Sequence, residues 1–116
     1  MTAFAIPQAT KTTGHLALTT EWLSPSEVHI RVAGEVDASN AGQLADYVFH
    51  RAANCLRLTL DLQKVEFFGT AGFTTLRTID IRCAHAQVMW ELRPSRAVAR
   101  TLDICDPRRS LPVVAA

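Results

Sequence analysis

The sequence has 116 residues, of which 48% are hydrophobic, and its 12 Lys and Arg side chains nearly balance 11 Asp and Glu side chains. This length is typical of one compact domain that buries enough apolar surface to fold without metal or disulfide support. The formal charge of +1 gives no strong field that would favour nucleic acid or an anionic membrane as the main partner. Composition therefore excludes disulfide scaffolds and strongly basic nucleic-acid-binding domains.

Apolar runs and cysteines narrow the class further. The longest apolar runs have four residues, whereas a membrane-spanning helix needs about 20. No basic segment followed by an apolar stretch and a cleavage site opens the chain, so we expect a cytoplasmic protein without a membrane span. Cys55, Cys83 and Cys105 form no CxxC pair, which favours reduced thiols over a disulfide framework or a zinc site.

The N-terminal third predicts an arm followed by a hairpin. Residues 1–14 show no sustained period, so we predict a flexible arm there and a folded domain at 15–116. A strand at 15–23 and the turn cluster at 24–26 favour a hairpin. From residue 27 apolar and polar side chains alternate until Gly34 and Asp37, which is the period of a half-buried strand.

Helices and strands alternate in the rest of the chain. The predicted elements are a helix capped by Ser39 or Asn40 and ending near Asn54, a strand at 56–62, a helix opening at Thr70, a strand at 88–92, a helix at 95–104 capped by Ser95, and an edge strand at 111–114. Such alternation predicts parallel strands joined by right-handed crossovers. The fold class is therefore α/β, with a mixed sheet of four to five strands covered mainly on one face by three helices.

Residue patterns typical of catalysis or cofactor binding are missing from the sequence. Neither Lys11 nor Lys64, the only lysines, follows a glycine-rich phosphate loop, so direct nucleotide binding is not expected. The histidines are scattered without metal-ligand spacing; they are His15, His29, His50 and His85. We predict no catalytic residue, no metal and no cofactor.

Small residues surround one hydroxyl at the predicted junction between the strand ending near Phe68 and the next helix. Thr70 lies where the first backbone N–H groups of a helix are unpaired and the helix dipole is positive, an arrangement that accommodates phosphate. Gly69, Ala71 and Gly72 leave room for a kinase active site or a partner backbone to approach it. The alternative is an ordinary helix cap.

Two neighbours of this junction each allow two interpretations. Phe73 falls at the boundary of the predicted buried helix face, so it is either an exposed aromatic anchor for a partner or a core side chain. Asp37 follows a strand and precedes a helix, which is typical of a cap or turn residue and is equally compatible with partner recognition.

Four segments in this order resemble the STAS domain of bacterial anti-sigma factor antagonists. They are the strand Val32-Ala33-Gly34-Glu35-Val36-Asp37, the helix with Leu44, the strand Leu58-Thr59-Leu60-Asp61-Leu62 followed by Val65-Glu66-Phe67, and the turn Gly69-Thr70-Ala71-Gly72-Phe73. The resemblance covers most of residues 15–106. It implies a single STAS-like domain at 15–116.

The resemblance also implies a function based on protein binding. Members of the family bind an ATP-dependent anti-sigma factor kinase, which releases its sigma factor, and are inactivated when the kinase phosphorylates a Ser or Thr at the position of Thr70. Asp37, Gly72 and Phe73 match positions in or beside the docking surface, and the resemblance implies that Gly69, Thr70 and Ala71 belong to the same surface. The family usually has Asp before the hydroxyl and Ser or Thr after it, where this chain has Gly69 and Ala71. Docking with and without a phosphorylation switch both remain compatible with these departures.

Three further hypotheses are kept open. A STAS-like accessory subunit of a lipid or anion transporter would share the same motifs. An enzyme with an unrecognised site would have to draw its chemistry from Asp37, Thr70 and Asp61. Cys55 lies at a predicted helix end and is a candidate for an accessible redox-sensing thiol, whereas Cys83 and Cys105 fall on predicted inner faces as small hydrophobic residues.

Overall fold

The computed structural model describes residues 6–13 and 15–114, which form a single sheet packed against helices. The elements in chain order are β1 (Ile6–Thr13), β2 (Leu16–Ser24), β3 (Glu27–Val36), α1 (Ala41–Arg51), β4 (Arg57–Phe68), α2 (Thr70–Ala86), β5 (Met89–Pro94) and α3 (Arg96–Cys105). The predicted order of strands and helices from β2 to α3 is confirmed.

The sheet is mixed, with strand order β1-β2-β3-β4-β5. β1, β2 and β3 are antiparallel neighbours, whereas β3, β4 and β5 run parallel. The helices α1 and α2 connect the parallel strands, so the carboxyl ends of β3, β4 and β5 meet at one edge. Loops at that edge of a parallel sheet are the usual place for a binding site.

The central strand β4 continues beyond the predicted end at residue 62 to Phe68, and it contains two irregularities in this added part. Its buried side chains are two residues apart from Leu58 to Leu62 and then three apart, at Val65 and Phe68. The pairing with β3 shifts register at the same two places, each time leaving an extra residue in β4. Such bulges let the strand continue while its inward face is kept against the helices.

One face of the sheet is covered by the helices and the other is polar, as predicted. Leu18, Ile30, Leu60 and Leu92 lie across four neighbouring strands and are at most 1% exposed. The opposite face carries charged pairs, of which Arg31 Nη1 and Glu21 Oε1 are 3.0 Å apart. Period-two alternation of the strands thus separates core from surface.

Both ends of the described chain differ from the sequence-based prediction. The flexible arm predicted at 1–14 is wrong for Ile6–Thr13, which pairs antiparallel with β2 as an edge strand. Backbone pairing with a preformed neighbour stabilises a segment whose own sequence shows no period. The edge strand predicted at 111–114 is reduced to one parallel bridge between Val113 and Leu92. Within the described residues, no helix is both long and apolar enough to cross a bilayer.

Candidate functional site

Two loops meet at the carboxyl ends of β3 and β4. The backbone N–H of Gly69 donates to the carbonyl of Val36 at 2.9 Å, which joins the last residue of β3 to the first residue after β4. Asp37 and Thr70 each follow one of these bonded residues. The parallel topology therefore brings together two segments that are 33 residues apart in sequence (70 − 37).

The Thr70 side chain is exposed and makes no hydrogen bond with the described part of the chain. It is the first residue of α2, and the N-cap is the preceding Gly69, which has no side chain to bond a helix N–H. A capping hydroxyl belongs to the N-cap residue, not to the residue after it. The ordinary-cap interpretation of Thr70 is therefore wrong.

The surroundings of Thr70 suit an added negative charge on that side chain. The first turn of α2 contains no acidic residue of its own to compensate the positive end of the helix dipole. Gly69 and Ala71 are partly exposed, and neither carries a side chain large enough to cover the hydroxyl. A phosphate on Thr70 would lie beside unpaired backbone N–H groups.

Asp37 organises the neighbouring turn. Its Oδ1 accepts hydrogen bonds from the backbone N–H of Ser39 at 2.9 Å and from the Ser39 hydroxyl. These two bonds, with smaller effects of the Asn40 N–H and of nearby His15, lower the pKa of Asp37 below its ordinary value. The carboxylate is therefore negatively charged at neutral pH, and its role as a turn residue is confirmed. His15, to which the sequence analysis gave no role, lies beside it.

The predicted cap of α1 differs in detail from the structure. Asn40 occupies the N-cap position but forms no side-chain cap bond. Instead its Oδ1 accepts from the backbone N–H of Asp37, and its Nδ2 donates to the carbonyl of Glu35, both at 2.9 Å. The side chain is buried and bonds backward, so it fixes the loop that carries Asp37 rather than the helix that follows.

Gly72 is a packing residue and does not itself form part of an exposed surface. It is buried, and a Cβ at this position would lie 2.6 Å from two ring atoms of Phe68. The Phe68 carbonyl in turn accepts a 2.5 Å hydrogen bond from the hydroxyl of Thr101 on α3. Together these contacts hold the Thr70 junction against the body of the domain.

The exposed aromatic side chain near Thr70 is Phe67, which was not among the predicted partner-binding residues. Phe73 is only partly exposed and packs against the core, with the Arg77 guanidinium 6.0 Å from its ring centroid. Phe67 is 52% exposed. Its ring lies beside Gly69, since a Cβ there would be 3.5 Å from Phe67 Cε2. The strand predicted at 56–62 stops before Phe67, whereas β4 continues to Phe68, with Phe68 buried and Phe67 on the outward side.

Other sequence candidates lie elsewhere. Asp61 is on the polar sheet face, midway along β4, with its Oδ2 3.7 Å from His29 Nε2, so it does not join Asp37 and Thr70. The accessible thiol predicted at Cys55 is wrong because this residue is 3% exposed, and burial raises its pKa. Cys83 is buried as predicted, and Cys105 is partly buried.

The family of the chain follows from a match of residues 23–115 to the STAS domain model. The chain belongs to the STAS domain family. Osmosensory protein A of Mycobacterium tuberculosis is 33% identical over 73 residues, which are 63% of this chain and 46% of that protein. The aligned region thus spans less than half of that relative.

Solved structures of anti-sigma factor antagonists have the same fold. SpoIIAA in its unphosphorylated form superimposes with a TM-score of 0.69 at 15% identity, covering 85% of this chain and 87% of SpoIIAA. An antagonist from Mycobacterium paratuberculosis gives 0.67 at 18% identity over 84% of each chain. An antagonist STAS domain from Rhodobacter sphaeroides gives 0.65 at 13% identity, covering 78% of this chain and 98% of that one.

Proposed function

We propose that this protein is an anti-sigma factor antagonist that binds an anti-sigma factor of the ATP-dependent kinase type and is inactivated by phosphorylation of Thr70. The observation that carries the proposal is the exposed Thr70 hydroxyl, which serves no bond within the described domain. Membership of the STAS domain family and the fold shared with antagonists support it. The function is reversible protein binding, without catalysis by this chain.

The binding surface would combine the Asp37 turn with the opening of α2. Thr70, Gly69 and Ala71 provide a low surface that a partner backbone can approach. Phe67 provides an exposed aromatic side chain of the kind that carries a large share of binding energy at interfaces. Phe73 and Gly72 support this surface from inside, where they fix the start of α2.

Phosphorylation would act through charge and desolvation. Phosphothreonine adds about −1.5 to −2 charges at neutral pH together with three strong acceptor oxygens. The ionised Asp37 on the adjacent loop adds to the negative potential. An interface that closes over a neutral hydroxyl would have to bury the phosphate without a matching cation, so the partner dissociates.

The first test measures phosphate transfer. The full chain is incubated with the candidate anti-sigma factor kinase and ATP, and the site is mapped by mass spectrometry. We expect one phosphate on Thr70 and none on the Thr70→Ala variant, with Thr78→Ala as control because Thr78 is also exposed on α2. Phosphate on another residue, or undiminished transfer to Thr70→Ala, would refute the site.

The second test separates docking from the switch. Pull-down of the anti-sigma factor is compared for wild type, Thr70→Glu and Thr70→Gln, which differ in charge at similar size. We expect Thr70→Glu to lose most of the partner and Thr70→Gln to keep most of it. Equal recovery of the partner by both variants would refute the charge switch. A separate copurification from native cells tests the partner: a membrane transporter complex in place of an anti-sigma factor would refute the partner assignment.

A further inference from the structure

A cavity of about 200 Å³ lies at the opposite end of α2 from Thr70. It opens to solvent and is lined by the C-terminal part of α1 and the residues that follow it, the last turns of α2 and the start of β4, mostly with apolar side chains. The wall includes Val48, Ala52, Leu58 and Val88. An apolar cavity of about 150 Å³ is already large enough to bind benzene, so this volume is sufficient for one aromatic ring.

The mouth of this cavity carries one cation without a carboxylate partner. Arg82 is exposed on α2, and its guanidinium lies 4.1 Å from the ring centroid of Phe49, which also lines the cavity. Arg82 forms no ion pair with any residue of the described chain. The Phe49 ring therefore holds a positive charge at the edge of an apolar space while leaving its hydrogen-bond donors available.

The cysteines in the cavity wall behave as apolar groups. Cys55 is 3% exposed and Cys83 is 8% exposed, and both line the cavity. Burial, with smaller contributions from Cys55 and Asp80, raises the pKa of Cys83 to about 11. The thiols are therefore neutral at physiological pH, so they add polarizable surface rather than negative charge that would compete for Arg82.

We propose that this cavity binds a small apolar carboxylate, whose hydrocarbon part fills the space between α1 and α2 and whose carboxylate pairs with Arg82. The volume limits the ligand to roughly the size of benzoate. The unpaired guanidinium selects an anion over a neutral molecule of the same shape. This site is separate from the proposed partner surface, so its test does not depend on the anti-sigma factor.

Benzoate is the probe, and benzyl alcohol is its neutral counterpart. In a two-dimensional NMR titration of the full chain, we expect benzoate to give saturable shifts confined to Val48, Ala52, Cys83 and Val88. Arg82→Gln should weaken benzoate about tenfold and leave the weaker benzyl alcohol binding unchanged, since only the charge-assisted contact is lost. Arg77→Gln is the matched control, because Arg77 lies over the Phe73 ring on the same helix and does not line the cavity.

Filling the cavity provides an independent readout. Ala52→Phe places a ring in the ligand volume and should abolish binding of both probes. If that variant does not fold, Ala86→Phe at the exposed end of the lining makes the same test. Shifts that stay linear with benzoate concentration, or identical benzoate affinity in wild type and Arg82→Gln, would overturn the proposal.

Discussion

The helices α2 and α3 begin in nearly the same way but use their hydroxyl residues differently. Each follows a parallel strand at the same edge of the sheet, and the N-cap residues Gly69 and Ser95 have φ and ψ of −83° and 177° and of −83° and 176°. The Ser95 hydroxyl accepts a hydrogen bond from the backbone N–H of Val98 at 3.1 Å. Thr70 lies one residue later in its helix and has no such bond.

A shift of one residue therefore separates a structural hydroxyl from an available one. At the N-cap position the side chain points along the helix axis toward the orphan N–H groups. At the next position it projects outward from the first turn, where a second molecule can reach it. The sequence contains a hydroxyl at both junctions, and only its position relative to the helix start tells the two roles apart.

The largest expected effects concern the aromatic pair that flanks the α2 junction. Phe73→Ala should lower the free energy of unfolding by about 2 kcal/mol because a half-buried ring is removed from the core. Phe67→Ala should lower it by less than about 1 kcal/mol but weaken anti-sigma factor binding about tenfold or more. Urea denaturation of both variants measures the change in stability, and titration with the anti-sigma factor measures the change in affinity. A reversed pattern would make Phe73 the contact residue.

The next effect tests the packing that fixes the start of α2. Gly72→Ala places a methyl group against the buried Phe68 ring. Overpacking of this kind lowers the free energy of unfolding by about 1–3 kcal/mol. This loss outweighs the gain in helix propensity, which is at most about 1 kcal/mol. The urea midpoint should therefore fall. Gly42→Ala on α1 is the control, since nothing lies within 4 Å of its added Cβ, and this variant should be more stable than wild type. Equal stabilisation by both changes would show that Phe68 yields.

The two hydroxyls themselves give a smaller and more specific difference. Ser95→Ala removes the cap of α3 and should cost about 1 kcal/mol of stability. Thr70→Ala removes no bond and should change stability by less than about 0.5 kcal/mol. Thermal or urea unfolding of both variants measures the contrast. A loss at Thr70 as large as that at Ser95 would mean that its hydroxyl is structural.

The smallest effect comes from restoring a cap to α2. A side chain at Gly69 would meet Phe67 and Val36 at ordinary contact distances of 3.5 Å or more. Gly69→Asp should therefore fit and add about 0.3 kcal/mol through N-cap hydrogen bonds. The variant also carries the residue usual at this position in the family, so its Thr70 phosphorylation rate can be compared with wild type. Destabilisation would show that the turn requires glycine.

Local pattern was sufficient for most of the fold. The alternation from Val28 to Val32 and from Leu58 to Leu62 predicted β3 and the first part of β4, and helical spacing predicted α1, α2 and α3. Ser95 was correctly predicted as a cap. These features depend on neighbours a few residues apart, which the sequence shows directly.

Features that depend on distant segments were missed or left open. Strand β1 exists through its pairing with β2, and Val65 is buried in place of Lys64 through an irregularity in the pairing of β4 with β3. Cys55 is buried although it lies at a helix end, because β4 and α2 close over it. No local pattern encodes these outcomes.

The sequence by itself determined the family, the alternation of elements, and the concentration of small residues around a hydroxyl at Thr70. Only the tertiary structure decided that this hydroxyl is exposed and caps no helix N–H group. It also decided that Asp37 lies on the adjacent loop, and that Phe67 is more exposed than Phe73. The physical reason is that periodicity and capping act over one or two turns, whereas exposure and proximity depend on the register of strands far apart in the chain.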